Sequence, residues 1–475
     1  MSMVKVAFLG AAGEVTGSCY LIKTPDANVL IDYGQHQGER TSRAKNLAET
    51  PFKVGDIDAI VLTHAHIDHI GLLPRLIAEG YNGPVYGTPS TNDLTEIMLK
   101  DAARLIEADT IREKRRAERT GRPVPEPLFS EVDVERFLPL RRPLKMGDWT
   151  TVAQGVRVRT FDSGHILGSV SLEFEVVSQG QTKTIVFSGD IGPRGIPLLR
   201  DPQPPKTDRP ADMVVLESTY GDRDHRKLDD TIHEAAEILR EAIWSKSKVL
   251  IPAFAVGRTQ LILYYLAKLA RSGTVPAFPI YLDSPMAVSA MRLYGKYAVT
   301  LDAQAKEVVE PGDRCFDVPG LVCTESADQS RALNDLRGAA VIIAGSGMCN
   351  GGRILHHLKH NVWKRDCHVI IAGYQAAGTI GRQLVERQDT VRLFGDDIFV
   401  RAKIHTLGGL SAHAGQTELV NWLGEVSPNL SGGGKTPLVF LTHGEDSARK
   451  ALASKIHDRF NVRAGMPLEC DEIRL

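Results

Sequence analysis

The chain has no apolar run approaching the ~20 residues that a helix needs to cross a bilayer, so the expectation is a soluble protein without membrane partners. Paired cysteines are also missing. Cys19, Cys315, Cys323, Cys349, Cys367 and Cys470 are scattered, and no two form a C-x-x-C pair. That spacing argues against a disulfide framework and against a cysteine-built zinc site, and it predicts reduced thiols in a cytoplasmic protein. Net charge is nearly absent, at −1. A protein that coats nucleic acid is basic, so any nucleic-acid binding here must be confined to a local cleft. The opening MSMVKVAFLGAAGEVTGS has too short an apolar run and too many glycines for a signal peptide. The rest is ordinary for a globular enzyme: 475 residues, 43% hydrophobic and 24% charged. Roughly 100–200 residues per domain then predicts two or three domains.

Short β-rich runs punctuated by Gly, Pro and Asn predict strands over 4–9, 18–23, 28–32 and 59–62. Helices are expected over 72–79 and 92–118. The second ends in the charge run Arg112, Lys114, Arg115, Arg116 and Arg119, read as a solvated helix face in preference to a nucleic-acid rim. Further strands are expected over 156–161, 184–188 and 213–216. A Pro-rich stretch from Pro193 to Pro210 precedes the last of them and reads as a domain junction. Between Asp222 and Leu393 helices and strands alternate, which implies a parallel sheet and an α/β insert. Gly432-Gly433-Gly434-Lys435-Thr436 resembles a phosphate loop only superficially. That motif needs glycine five residues before its Gly-Lys pair, where Asn429 stands, so the segment is read as a flexible loop.

The strongest chemical signal is Thr63-His64-Ala65-His66-Ile67-Asp68-His69, directly after an apolar strand. Imidazoles and carboxylates are the donors that zinc and similar divalent metals prefer. His64 and His66 alternate, so an extended segment points both to one side. Asp68 and His69 follow where the chain turns into a helix and can face a second metal. One cluster cannot fill two coordination spheres. His165, Asp190 and His443 stand at other strand ends beside Gly164, Gly189 and Gly444, residues that permit close backbone approach.

This run, with His165 and Asp190 downstream, resembles the metallo-β-lactamase superfamily, an αββα sandwich with metals at one edge of its two sheets. Asp32 in Ile31-Asp32-Tyr33-Gly34 matches that family's first-motif aspartate, which orients the metal ligands from behind. Leu216-Glu217-Ser218-Thr219-Tyr220-Gly221, Ser411-Ala412-His413-Ala414 and Thr442-His443-Gly444-Glu445 resemble motifs A, B and C of the β-CASP subgroup. Nearly the whole chain is similar to the nuclease subunit of the cleavage and polyadenylation specificity factor and its prokaryotic relatives. The resemblance implies an α/β protein with residues 1–208 and 396–475 in the sandwich and 209–395 in the inserted β-CASP cap. It also implies two zinc ions. His64, His66 and His165 would hold one, Asp68, His69 and His443 the other, and Asp190 would bridge them.

The implied reaction is phosphodiester hydrolysis in RNA. Two metals supply a nucleophile and charge neutralisation; Glu217 beside His413 is the candidate pair for protonating the leaving oxygen. Histidine at the motif C position accompanies RNA substrates in this subgroup, whereas valine accompanies DNA, so His443 points to RNA. Phosphate contacts are expected from Arg258, Ser346, Gly347, Arg353 and Arg382 of the cap, through a glycine-rich anion cradle and bidentate guanidinium groups. A DNA-directed β-CASP nuclease and a small-molecule hydrolase of the same fold are the alternatives. A non-catalytic scaffold is disfavoured because every expected ligand is present. A homodimer is retained as an option for the assembly.

Overall fold

The computed structural model describes residues 4–38, 41–121, 126–312, 315–431 and 435–475. Gly432, Gly433 and Gly434, where a flexible loop is expected, lie outside them.

Two seven-stranded sheets pack face to face. The first runs, edge to edge, through Asp471–Arg474, Lys5–Phe8, Tyr20–Lys23, Asn28–Ile31, Ala59–Val61, Val85–Gly87 and Arg141–Pro143. The second runs through Ala464–Gly465, Leu438–Thr442, Met213–Glu217, Gln181–Phe187, Val170–Ser178, Val156–Asp162 and Thr150–Ala153. Strand alternation decides the layering. Val6 and Phe8 point into the core between the sheets, against Leu172, Phe174 and Phe187. Ala7 and Leu9 point the other way, into a core shared with helices. On the second sheet Met213 and Val215 face inward, while Val214 and Leu216 face Leu419, Leu423 and Leu452 on the outer helices. Both faces of each sheet are therefore covered, giving the expected αββα sandwich.

The cap is a six-stranded parallel sheet in the order Leu321–Cys323, Ile280–Asp283, Ala340–Ala344, Lys248–Pro252, His368–Ile371 and Lys403–Thr406. Ala340–Ala344 at its centre is wholly apolar and buried, and Val249, Leu250 and Ile251 beside it are too, as burial on both faces requires. The junctions differ from those expected. Met213–Glu217 pairs in parallel with Gln181–Phe187 and Leu438–Thr442, so the sandwich continues past 208 through Glu217. Lys403–Thr406 pairs with His368–Ile371, so the cap continues past 395. The Pro-rich stretch is a connection within the sandwich. Sheet membership is set by long-range pairing, which short apolar strands do not announce locally.

The predicted helix over 92–118 is Pro89–Thr120. Thr88 caps its N-terminus by accepting from the Thr91 amide, proline occupies the first turn, and Gly121 closes it at φ 65°. Arg112, Lys114, Arg115 and Arg119 are exposed on it. Among the described residues, no helix is long and apolar enough to cross a membrane.

Candidate metal centre and cleft

The chemistry-bearing residues follow the C-terminal ends of strands at one edge of the sandwich. Asp32 follows Asn28–Ile31, His64 follows Ala59–Val61, His165 follows Val156–Asp162, Asp190 follows Gln181–Phe187, and His443 follows Leu438–Thr442. Glu217 ends its own strand. Parallel pairing of Met213–Glu217 with its two neighbours brings three of these ends together.

Two groups of ligand atoms form. Nδ1 of His66 lies 3.2 Å from Nε2 of His64 and 3.0 Å from Nε2 of His165. Nε2 of His69 lies 3.3 Å from Nε2 of His443, which is 3.5 Å from Oδ2 of Asp68. Asp190 stands between the groups, with Oδ2 3.5 Å from Nε2 of both His64 and His69 and 3.6 Å from that of His165. The structure thus brings all seven expected ligands together, with the ligand atoms of each group within 4.8 Å of one another.

On His64, His69, His165 and His443 the nitrogen facing away from these groups has a partner. Nδ1 of His64 is 3.0 Å from the Thr63 hydroxyl, Nδ1 of His69 is 2.8 Å from Asp32, Nδ1 of His165 is 2.8 Å from the Ala412 carbonyl, and Nδ1 of His443 is 3.0 Å from the Thr219 hydroxyl. Asp32 also accepts from the Thr63 amide and hydroxyl. Such outer partners fix ring orientation and tautomer in metal sites. Thr63, Thr219 and Ala412 carry these roles without having been singled out. Threonine and a backbone carbonyl have no sequence signature for them, although all three adjoin the motifs.

The donor set fits divalent metal. Oδ1 of Asp190 is buried and makes no hydrogen bond, and neither does Nε2 of His66. Orphaned polar atoms of this kind are rare in native interiors. Burial acts to raise the Asp190 pKa, but His443, His69 and His64 hold it well below the usual carboxylate range. His64 and His165 are pushed well below the usual imidazole range, first by burial and then by their histidine neighbours. At His69 burial acts the same way, but Asp190 and Asp32 hold its pKa well above the usual imidazole range. An ionised Asp190 beside neutral His64 and His165 is the protonation state that metal binding needs. His443 and Asp32 also sit in the left-handed backbone region at φ 49° and 55°. Non-glycine strain of that kind concentrates at functional sites. The loops approach closely: a Cβ at Gly444 would fall 2.6 Å from the Ser218 carbonyl oxygen.

Nδ1 of His413 lies 3.2 Å from Oε1 and 3.3 Å from Oε2 of Glu217, and 3.9 Å from Asp190. Glu217 is buried and fixed by the Ile191 amide at 2.7 Å and the Thr219 amide at 3.3 Å. Burial works to lower the His413 pKa, but Glu217, Asp190 and Asp68 raise it above the usual imidazole value.

A cleft of about 370 Å³ opens over the centre between sandwich and cap, bounded by His66, Asp68, His165, His413 and His443 on one side. Arg258 and Ser346 line it. Arg258 starts the helix Arg258–Arg271; it is 7% exposed, donates to the Ala372 carbonyl at 2.6 Å, and has no partner on Nε. The other expected phosphate contacts do not line the cleft. Arg353 is engaged by Asp283 at 2.6 Å and the Glu325 carbonyl at 2.8 Å. Arg382 pairs on the surface with Glu386 at 2.6 Å. Gly347 packs under Phe254, where a Cβ would come within 2.6 Å of the ring. Tyr374, unforeseen, lines the cleft and bonds from the cap to Glu445 of the sandwich.

Comparison with known proteins agrees with this arrangement. Residues 12–250 match the metallo-beta-lactamase superfamily, 259–384 the Beta-Casp domain, and 397–467 the Zn-dependent metallo-hydrolase RNA specificity domain. The chain is 40% identical to Ribonuclease TTHA0252 of Thermus thermophilus over 94% of its length and 95% of that protein. It is 30% identical to Transcription termination factor FttA of Methanococcus maripaludis, covering all of this chain and 72% of that one. A crystal structure of a protein of unknown function from Enterococcus faecalis V583 shares the fold over 99% of the chain, at 12% identity and a TM-score of 0.52. The sheets, the strand-end ligands and these matches agree: the chain belongs to the metallo-β-lactamase superfamily of metal-dependent hydrolases, in its β-CASP branch.

Proposed function

We propose that this chain is a cytoplasmic two-zinc ribonuclease that hydrolyses phosphodiester bonds in RNA processing or decay. The observation carrying this reading is the pair of ligand groups that meet at Asp190 under an open cleft of about 370 Å³. Bound divalent cations at such a site supply charge neutralisation on the phosphodiester and bring the pKa of water toward neutrality. The protein's own residues do the rest. His64, His66 and His165 form one set of ligands, and Asp68, His69 and His443 the other, with Asp190 shared. Arg258, whose buried charge faces no carboxylate, draws a phosphate into the cleft. Its guanidinium is pushed down to about 10 by burial and remains a cation at neutral pH. His413, kept protonated by Glu217, donates a proton to the departing oxygen.

RNA is favoured over DNA by the name of the Thermus thermophilus relative, a ribonuclease, by the RNA specificity domain and by histidine at position 443. The six free cysteines fit a reducing compartment. The test is hydrolysis of matched single-stranded RNA and DNA oligonucleotides by zinc-loaded protein, with metal content measured in parallel. Two zinc equivalents and faster RNA cleavage are expected. The His64→Ala, His66→Ala double variant should lose metal and activity while keeping its circular dichroism spectrum. Equal or faster DNA cleavage would overturn the substrate, and full activity in the double variant would overturn the site.

A further inference from the structure

The cleft's far wall has a different character from its metal floor. Met98, Ala102, Leu105, Ile106 and Asp109 line it from one face of the helix Pro89–Thr120. Their spacing is that of a single helical stripe. Leu105 is 53% exposed and lines the same cleft as the metal centre. An apolar wall carrying carboxylates suits nucleobases, whose faces are apolar and whose amino groups donate. It repels phosphates, which belong on the opposite side with Arg258.

The same stripe leaves the cleft. Four residues beyond Leu105 is Asp109 and three further is Arg112, which pairs with Asp109 on the exposed surface. At 1.5 Å per residue, Leu105 to Arg112 spans ~10 Å, about three nucleotides at ~3.4 Å each. Arg112 is also one of the charges acting on His356 of the cap helix Arg353–Asn361. Burial first, then His357, His360, Lys359 and Arg112, lowers the pKa of that imidazole. His356 packs on Phe394 with ring centroids 4.6 Å apart, and the Lys359 ammonium stands 5.7 Å from the centre of the same ring. Phe394 is 50% exposed at the tip of the hairpin Thr390–Leu393 and Asp396–Phe399. It is half exposed with a cation beside it, and Arg112 stands on the stripe that leaves the cleft. Among the described residues, Lys359 and Arg112 form surface ion pairs with Asp396 and Asp109, which are weak and exchange readily with other anions.

We infer that RNA flanking the scissile bond runs from the cleft along Leu105 and Arg112 to the cap surface at His356, Phe394 and Lys359, where an unpaired base stacks on Phe394. This rests on the ribonuclease reading and adds the path of the flanking strand, which needs RNA long enough to reach the hairpin. Aromatic stacking with basic backbone contacts is the general means of holding single strands without sequence preference. A duplex presents no free base face to Phe394 and gains nothing from it.

The experiment compares a four-nucleotide and a sixteen-nucleotide single-stranded RNA with wild type, Phe394→Ala, Phe394→Trp and Arg112→Ala. For the sixteen-mer, Phe394→Ala is expected to raise KM roughly tenfold with kcat unchanged, and Phe394→Trp to restore it. Arg112→Ala should raise KM and reduce the slope of affinity against salt by about one counterion. The four-mer should respond to none of them. The path is wrong if both lengths respond alike or if neither responds. It is also wrong if Phe394→Ala leaves KM unchanged and converts a dimer to a monomer by sedimentation, which would assign the patch to self-association. Fluorescence anisotropy of the labelled sixteen-mer reports the path separately from hydrolysis. If wild type hydrolyses bis(4-nitrophenyl) phosphate but not RNA, the substrate reading fails; unchanged sixteen-mer binding in Phe394→Ala overturns the path alone.

Discussion

His413 stands beside the two ligand groups, with its Nδ1 aimed at a buried carboxylate and its ring stacked on His443 at 5.8 Å between centroids. Glu217 cannot approach the centre itself, because both its oxygens are taken by the Ile191 and Thr219 amides and by His413. A carboxylate fixed in this way acts through its partner, orienting the ring and stabilising the imidazolium. His413→Ala should therefore lower kcat by roughly 10²–10⁴-fold, the usual contribution of a general acid, with KM and zinc content near those of wild type. Steady-state kinetics with metal analysis of the same preparation checks this. Loss of zinc in that variant would instead make His413 a ligand, a role its 3.9 Å separation from Asp190 leaves geometrically open.

At the scale of elements, the cap is tied together by Asp283 at the end of the strand Ile280–Asp283. Its buried carboxylate accepts from Thr324 and Ser330 at 2.6 Å each, from Arg353 at 2.6 Å and from His357 at 2.7 Å. Arg353, expected at a phosphate, is consumed here. It pins the helix Arg353–Asn361, which follows the Ser346 loop, to a neighbouring strand. Burial acts to raise the Asp283 pKa, but these four donors bring it well below the usual carboxylate value. A depressed carboxylate pKa stabilises the fold above the unfolded value near ~4 and loses that contribution as pH falls through the folded value. Asp283→Ala should cost roughly 3 kcal/mol by stranding a buried histidine and an arginine. In urea titrations at pH 7 and pH 3, the gap between wild type and variant should shrink at the lower pH. A gap that is equal or larger at pH 3 would show that the carboxylate's charge is not what holds the cap.

At the scale of the molecule, sandwich and cap share one apolar core. Ile70, Leu73, Leu76, Leu94 and Leu99 of the sandwich helices belong to the same continuous cluster as Leu263, Tyr264, Met291 and Tyr294 of the cap. The chain leaves the sandwich after Glu217 and returns by His413, whose side chains touch, so the insertion begins and ends at one place. A shared core couples the two bodies energetically, unlike the small polar interfaces typical between independent domains. Calorimetry should therefore record a single unfolding transition for the whole chain, and residues 218–410 expressed alone should aggregate or remain unfolded. Two resolved transitions would mean that the core is divisible.

Much of the centre was legible because metal chemistry restricts residue types. The run from His64 to His69 has few other uses, and His165, Asp190 and His443, each ordinary alone, are candidates through their joint pattern with that run beside glycines at strand ends. Several sandwich strands are likewise carried by β-rich runs punctuated by Gly, Pro and Asn, and the long helix is legible over 92–118, short of the ends that Thr88 and Gly121 set. Tertiary structure decided what depends on long-range pairing. It placed Met213–Glu217 in the sandwich and Lys403–Thr406 in the cap, although each is a short run whose sheet is chosen by its hydrogen-bonded neighbours. It also separated Arg258, which faces the cleft, from Arg353 and Arg382, which do not. A guanidinium can reach several partners, and only the packed chain sets whether the nearest is a carboxylate of the protein or the open cleft.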